Sequence, residues 1–249
     1  MHVPEPKPSP KERFLFIADD FGLDETTNRA ILHAHLKGAL HGAALMMGQP
    51  GTAEAVTMAR DHPTLRIGLH WHFNDSRPLT RTTWPWGDSP AAAGWAIGLR
   101  QANRAVALAE AQAQLEFFLA TGLPASFINS HHHLQIHPRL WRPLWRLAER
   151  LPGAWLRLGW PHFFARGPYP TITALGAWLL GTRPRHEWRG VASAGLWGLD
   201  RNFSMRPDEV RRAVALNVPD CQEFIFHPRR CDDQDTRCLI ELGRAPLSL

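Results

Sequence analysis

The sequence predicts an α/β fold with a mostly parallel sheet, and two observations carry the prediction. Short apolar runs alternate with helix-patterned segments from residue 14 to about residue 73, in the rhythm strand, helix, strand, helix, strand. Acidic and histidine residues then recur at the ends of the strand-like runs: Asp19 and Asp20, His70 and His72, His131 to His133, and His227. In parallel folds those ends gather on one rim, where ligands bind. The order of elements fits either a barrel-like or a wound sheet. At 249 residues the chain suits one large domain over 14–249, and no central stretch reads as a linker. The opening "MHVPEPKPSPKER" is charged and Pro-rich, and it is expected to be a disordered lead over 1–13.

The elements follow in order. Phe14, Leu15, Phe16 and Ile17 form a buried-strand run that delivers the Asp19-Asp20 pair to a strand-to-helix junction. From Asp24 a helix is expected, with Ala30, Ile31, Ala34 and Leu36 on its apolar stripe and Gly38 at its stop. "HGAALMMG" reads as a second strand, "TAEAVTMARD" (52–61) as a helix and "LRIGLHWHF" (65–73) as a third strand. Residues 74 to 100 break the rhythm with Pro, Gly and Trp and read as a long loop over one end of the fold. Helix-forming residues fill 101–121, ahead of Gly122 and Pro124. "ASFINSHHHLQIHP" is a fourth strand running into histidines, "RLWRPLWRLAERL" an amphipathic helix and "AWLRLG" a strand. A helix is expected around "ITALGAWLLG", another over "RPDEVRRAVALN", and a last strand in "EFIFHP".

Composition excludes several classes. No apolar run approaches the roughly 18 residues of a membrane span, so a cytoplasmic location is expected. Cys221, Cys231 and Cys238 are odd in number and follow no zinc spacing, which fits a reducing compartment. The net charge of +5 comes from scattered arginines, and without a nucleic-acid motif these read as a solvated face. Eleven tryptophans are many; core packing accounts for most, and some sit in Pro- and Gly-rich surroundings where a flat ring can meet a sugar or a lipid-like surface.

Side chains two apart on a strand share a face, so His70 pairs with His72 and His131 with His133, with His132 opposite. Two imidazoles and a carboxylate suit zinc or another first-row divalent metal better than magnesium, which prefers oxygen. A second carboxylate left free of the metal supplies the base that hydrolysis needs. Taken singly, each histidine is a packed core residue and each aspartate a helix cap; their repetition at strand ends favours a site.

"ADDFGLDETTNRAI", "LMMGQP", "RIGLH", "INSHHHLQIHP" and "EFIFHP", in this order, resemble the YdjC or ChbG family of carbohydrate deacetylases, which includes the hopanoid-biosynthesis-associated HpnK branch. The resemblance implies a single-domain, irregular (β/α) barrel, TIM-barrel-like and polysaccharide-deacetylase-like. It implies an enzyme that hydrolyses the N-acetyl group from an N-acetylated amino sugar, on an oligosaccharide or a glycolipid, with a divalent metal. Zinc is expected first, with magnesium, cobalt or nickel as alternatives. On this resemblance Asp20, His70 and His131 hold the metal, Asp19 is the base that activates water, and His227, oriented by Glu223, is the acid that protonates the leaving amine. Asn28, His133, Arg157 and Trp160 are expected on the substrate side.

Two positions depart from the oligosaccharide-acting members: Asn129 replaces an aspartate and Gln135 a histidine. Asn129, "GLD" and "TGLP" agree better with the hopanoid-associated branch, which makes an N-acetylglucosaminyl lipid and peripheral membrane contact expectations to test. A homodimer is a further expectation from the family, and nucleic acid is not an expected partner. The alternatives are another metal-dependent amidase or phosphoesterase, or a decayed sugar- or lipid-binding protein.

Overall fold

A computed structural model describes residues 13–164, 191–216 and 221–244. The N-terminal lead before Arg13 and the helix expected around "ITALGAWLLG" lie outside the described residues.

Eight strands form one sheet: β1 Phe14–Phe21, β2 Gly42–Leu45, β3 Arg66–Trp71, β4 Ala125–Ser130, β5 Trp155–Leu156, β6 Trp160–His162, β7 Gly195–Trp197 and β8 Gln222–Phe226. Their order is β5-β4-β3-β2-β1-β8-β7-β6, and every pairing is parallel. The sheet curls back on itself, because Leu156 at the β5 edge bridges Ala192 on the segment that enters β7. Leu156 N–H donates to the Val191 carbonyl at 3.0 Å, and Ser193 N–H donates to the Leu156 carbonyl at 3.2 Å. The result is the expected α/β barrel, irregular where β5 and β6 break.

β1 is buried along its whole length between β2 and β8, as a central parallel strand must be when both faces are covered. Helix α1 (Glu25–Lys37) starts where Asp24 accepts from Thr27 N–H at 2.7 Å and buries Ala30, Ile31 and Ala34. Helix α2 (Thr52–Asp61) occupies the predicted span. Helix α4 (Gln101–Ala120) buries Ala107, Ala111, Leu115 and Phe118, a stripe repeating every three or four residues, and packs on β3. Helices α5 (Trp141–Ala148) and α6 (Pro207–Ala215) match the expected amphipathic segments. Among the described residues, no helix is long and apolar enough to cross a membrane.

Three local expectations are corrected and one helix is added. Residues 74–100 are not one long loop, because helix α3 (Pro90–Leu99) ends them, with Ser89 as its cap and Pro90 in its first turn. Their first half is packed: the Trp84 and Trp86 rings stack at 5.6 Å, and their indole N–H groups donate to the carbonyls of Ser76 and Phe73. β4 stops at Ser130, and His131–Ile136 form a tight helical turn in which His132 (φ 53°) and His133 (φ 58°) are left-handed, so the strand alternation of the histidines does not apply. The strand expected in "AWLRLG" is only Trp155–Leu156. Helix α7 (Gln234–Arg244), which packs on α1, was not expected from the sequence.

Candidate active site

The C-terminal ends of β1, β3, β4 and β8 deliver Asp19 and Asp20, His70, the turn His131 to His133, and His227 to one rim. There a cleft open to solvent is lined by both aspartates, all three histidines of the turn and His227. Asp20 turns out of the strand with φ 67°, which aims its carboxylate away from the ladder. The next residues turn sharply through Gly22 (φ 89°), where any Cβ would stand 2.9 Å from the Met46 carbonyl.

Asp20 Oδ1 lies 3.2 Å from His70 Nε2 and 2.9 Å from His131 Nδ1. Asp20 Oδ1 and His70 Nε2 are buried and take part in no hydrogen bond among the described residues, an arrangement that costs free energy unless something else fills it. One oxygen and two imidazole nitrogens within 4.8 Å of one another suit a divalent metal. Burial alone would raise the Asp20 carboxyl, but His131 and His70 outweigh it and hold it well below its ordinary value. Burial would likewise lower His131, and the Asp20 carboxylate reverses that and raises it.

Asn129 joins the two carboxylate sites. Its Oδ1 lies 2.6 Å from His70 Nδ1 and its Nδ2 donates to Asp19 Oδ1 at 3.0 Å, all within the buried interior. An amide oxygen can only accept, so His70 carries its proton on Nδ1 and presents the Nε2 lone pair toward Asp20 and His131. Asn129→Leu is therefore expected to weaken zinc binding by about 10- to 100-fold; a titration against a competing chromophoric chelator measures it. Gln135, the other departure, is a brace: it accepts from the Ser130 hydroxyl at 2.6 Å and donates to the Arg157 carbonyl at 3.2 Å.

Asp19 is clamped. Arg157 Nη1 donates to Asp19 Oδ2 at 2.6 Å and Nη2 donates to Oδ1 at 2.9 Å, while Arg157 Nε donates to Glu223 Oε1 at 2.6 Å. Burial would raise the Asp19 carboxyl, but the Arg157 guanidinium dominates and lowers it. With Asn129 and Arg157 both on Oδ1, and Arg157 alone on Oδ2, the carboxylate retains acceptor capacity on Oδ2.

The structure redraws part of the expected substrate side. Arg157 is fully buried under Asp19 and clamps that carboxylate. Asn28 is also fully buried and away from the cleft; its oxygen accepts from Gly22 N–H at 2.7 Å and its nitrogen donates to the Gly51 carbonyl at 2.8 Å, so it ties the β1 turn to α2. Glu223 is partnered by Arg157, whose Nε donates to Oε1. His133 lines the cleft, and burial lowers it to about 3. Trp160 starts β6, and its side chain lies outside the described residues. His72 is a packed histidine, its ring within 2.9 Å of the Met47 carbonyl and 2.8 Å of the Ser76 hydroxyl.

Sequence reasoning missed Arg229, whose Nη2 donates to Asp20 Oδ2 at 2.7 Å and whose guanidinium lies 5.5 Å from the centre of the Phe203 ring. The only sequence signal was its place two residues after His227 in "FHPRR". It also missed Asp235, at the start of α7, which accepts from His227 N–H at 2.7 Å and Met205 N–H at 3.0 Å and so fixes the chain at the end of β8. Burial lowers the His227 imidazole, against the opposing pull of the Asp20 and Asp19 carboxylates.

Fold and site together define a TIM-barrel-like α/β protein whose C-terminal rim carries an acid and histidine cluster. The chain belongs to the YdjC-like protein family, whose profile matches residues 13–244. It is similar to a carbohydrate deacetylase of Vibrio vulnificus strain YJ016, with 40% identity over 141 residues, 55% of this chain and 55% of that one. It is also similar to a carbohydrate deacetylase of Geobacillus stearothermophilus, with 35% identity over 150 residues, 58% of this chain and 60% of that one. The chain thus spans little more than half the length of these curated relatives. In three dimensions it resembles a crystal structure from Enterococcus faecalis V583, provisionally described as a cellobiose-phosphate cleavage protein. The TM-score is 0.61 at 17% identity, over 91% of this chain and 90% of that one, which speaks to the fold alone.

Proposed function

We propose that this protein is a metal-dependent carbohydrate N-deacetylase, which hydrolyses the acetamide of an N-acetylated amino sugar to acetate and a free amine. The observation that carries the reading is the convergence of Asp20 Oδ1, His70 Nε2 and His131 Nδ1, two of them otherwise orphaned, beside an Asp19 carboxylate held apart by Arg157. The carbohydrate deacetylases to which the chain is similar support the substrate class.

Asp20, His70 and His131 would hold the cation, with zinc favoured by the nitrogen-rich donor set. When bound, such an ion polarises a carbonyl and acidifies water. Asp19 then takes the proton of the attacking water on Oδ2, the oxygen with spare acceptor capacity, as oxygen adds to the amide carbon. The C–N bond breaks as His227 gives a proton to nitrogen. His133 lines the cleft and contributes to the substrate side. Arg229 holds Asp20 Oδ2, which leaves Oδ1 facing the histidines.

Acetate release is the direct test, from a panel of N-acetylglucosamine oligomers and N-acetylglucosaminyl lipids, with zinc and with a chelator. Chelator-sensitive release is expected from at least one member, and the responsive member tells whether the sugar is free or lipid-borne. Hydrolysis of nitrophenyl phosphate with silence on every acetylated sugar would instead make the protein a phosphoesterase. Ligand binding with neither metal nor turnover would make it a decayed binding protein.

A further inference from the structure

Helix α3 stands out from the other surface helices because it carries no charged residue: Pro90–Leu99 reads PAAAGWAIGL. Ala93 and Ile97 turn inward, while Trp95 (71% exposed) and Leu99 (76% exposed) are the most exposed large apolar side chains among the described residues. They stand one turn apart and so share a face of the helix. A soluble surface seldom holds out a tryptophan and a leucine together without a partner for them.

The surroundings say which partner. From Ser89 to Ala109 there is no acidic residue, whereas Arg100 and Arg104 follow directly. His137 Nε2 lies 3.1 Å from the Gly94 carbonyl of α3, and Arg104 and Arg139 are both close enough to act on that ring's charge. Arg100 and Arg139 are exposed. The acidic residue nearest in sequence on the N-terminal side is Asp88, whose carbonyl is held by Asn74 at the far end of the helix from Leu99. Protruding indole and aliphatic groups with exposed arginines beside the helix match the headgroup region of an anionic bilayer, where tryptophan sits between the apolar and wet layers and arginine meets phosphate. A second copy of the chain fits worse, because a two-fold contact on this face would bring the same arginines together with no acidic counterpart within 89–109.

We propose that α3 is a membrane foothold, with Trp95 and Leu99 entering the surface of an anionic phospholipid bilayer and the exposed Arg100 and Arg139 resting on its phosphates. The foothold lies beside the cleft. Asn74 is tied to Asp88 just ahead of α3, Asp75 lines the cleft, and the turn that begins at His131 ends at His137 under the helix. Docking through α3 therefore holds the rim of the barrel close to the lipid surface.

Co-sedimentation of the full chain tests this, with vesicles of phosphatidylcholine alone and of phosphatidylcholine with phosphatidylglycerol. Wild type is expected to pellet with the anionic vesicles and to be released by high salt. Trp95→Ser/Leu99→Ser is expected to weaken binding by on the order of tenfold or more, and Arg100→Gln/Arg139→Gln, both exposed, to abolish the preference for phosphatidylglycerol. Both pairs are surface changes, and unchanged circular dichroism and acetate release from a soluble substrate would show that fold and site are intact. Wild type left in the supernatant, or binding that survives the Trp95 and Leu99 changes, would overturn the proposal. So would a wild-type dimer that the same changes convert to monomer in sedimentation velocity, which would make the face a contact between copies. Loss of the deacetylase reading would show separately, as no acetate release from any substrate by a protein that still binds vesicles.

Discussion

Asp19→Asn is expected to bind zinc with wild-type stoichiometry and to lose about 10²- to 10⁴-fold in kcat. The substitution leaves Asp20, His70 and His131 untouched, so the donor set remains. What it removes is the spare acceptor capacity of Oδ2: with the amide oxygen still taking Arg157 Nη2 and Asn129 Nδ2, an NH₂ group faces Arg157 Nη1 and cannot accept a proton from water. Steady-state acetate release beside metal analysis separates the two effects. Wild-type turnover in this variant would take the base role away from Asp19. Loss of metal together with turnover would mean that the adjacent carboxylates act as one ligand unit.

The parts of the molecule legible in the sequence are those set by local pattern. β1 announces itself by four apolar residues in a row, α1 by Asp24 and Gly38 at its ends, α2 by its span, and the acid and histidine cluster by histidines and aspartates recurring at strand ends. Local pattern failed in two ways. α3 is apolar on every face and begins at a proline, so it shows no helical period and was merged with the preceding turns. Strand alternation does not carry through His131 to His133, because Ser130 ends the strand and two residues enter the left-handed region. The larger losses are partnerships across the chain. Arg157 reaches Asp19 across 138 positions and Arg229 reaches Asp20 across 209, and no spacing rule connects such residues. A buried arginine inside a strand-like run, "WLRLG", was nevertheless a usable signal, since a cation there must find carboxylates. The two carboxylates it finds are themselves buried, so the strand run alone does not show which way the side chain turns.

That burial makes Arg157→Met the variant with the largest expected effect on stability, a loss of about 3–5 kcal/mol at neutral pH. The guanidinium is wholly enclosed and serves both Asp19 and Glu223, so its removal strands two carboxylates in the interior. Denaturant unfolding in the presence of a chelator measures the loss without a contribution from metal binding. The pH dependence should then change sign. In the wild type the Asp19 carboxyl is depressed, so its stabilising contribution is fully present above its ordinary value of 3.8 and is lost as pH falls through the lower folded value. Glu223 is already raised by burial against the pull of Arg157. Without Arg157, burial acts on both groups unopposed by that cation and raises them, and a raised carboxyl favours the folded state only when protonated. The deficit of the variant should therefore be greatest near neutral pH and shrink as pH falls toward the ordinary carboxylate range. Arg157→Met/Glu223→Gln should recover part of the loss at neutral pH, because one stranded charge is gone, and it should not recover activity, because Asp19 is still without its clamp. A single variant as stable as wild type at every pH would show that the two carboxylates do not need the arginine, and the account of how Asp19 is held would fall with it.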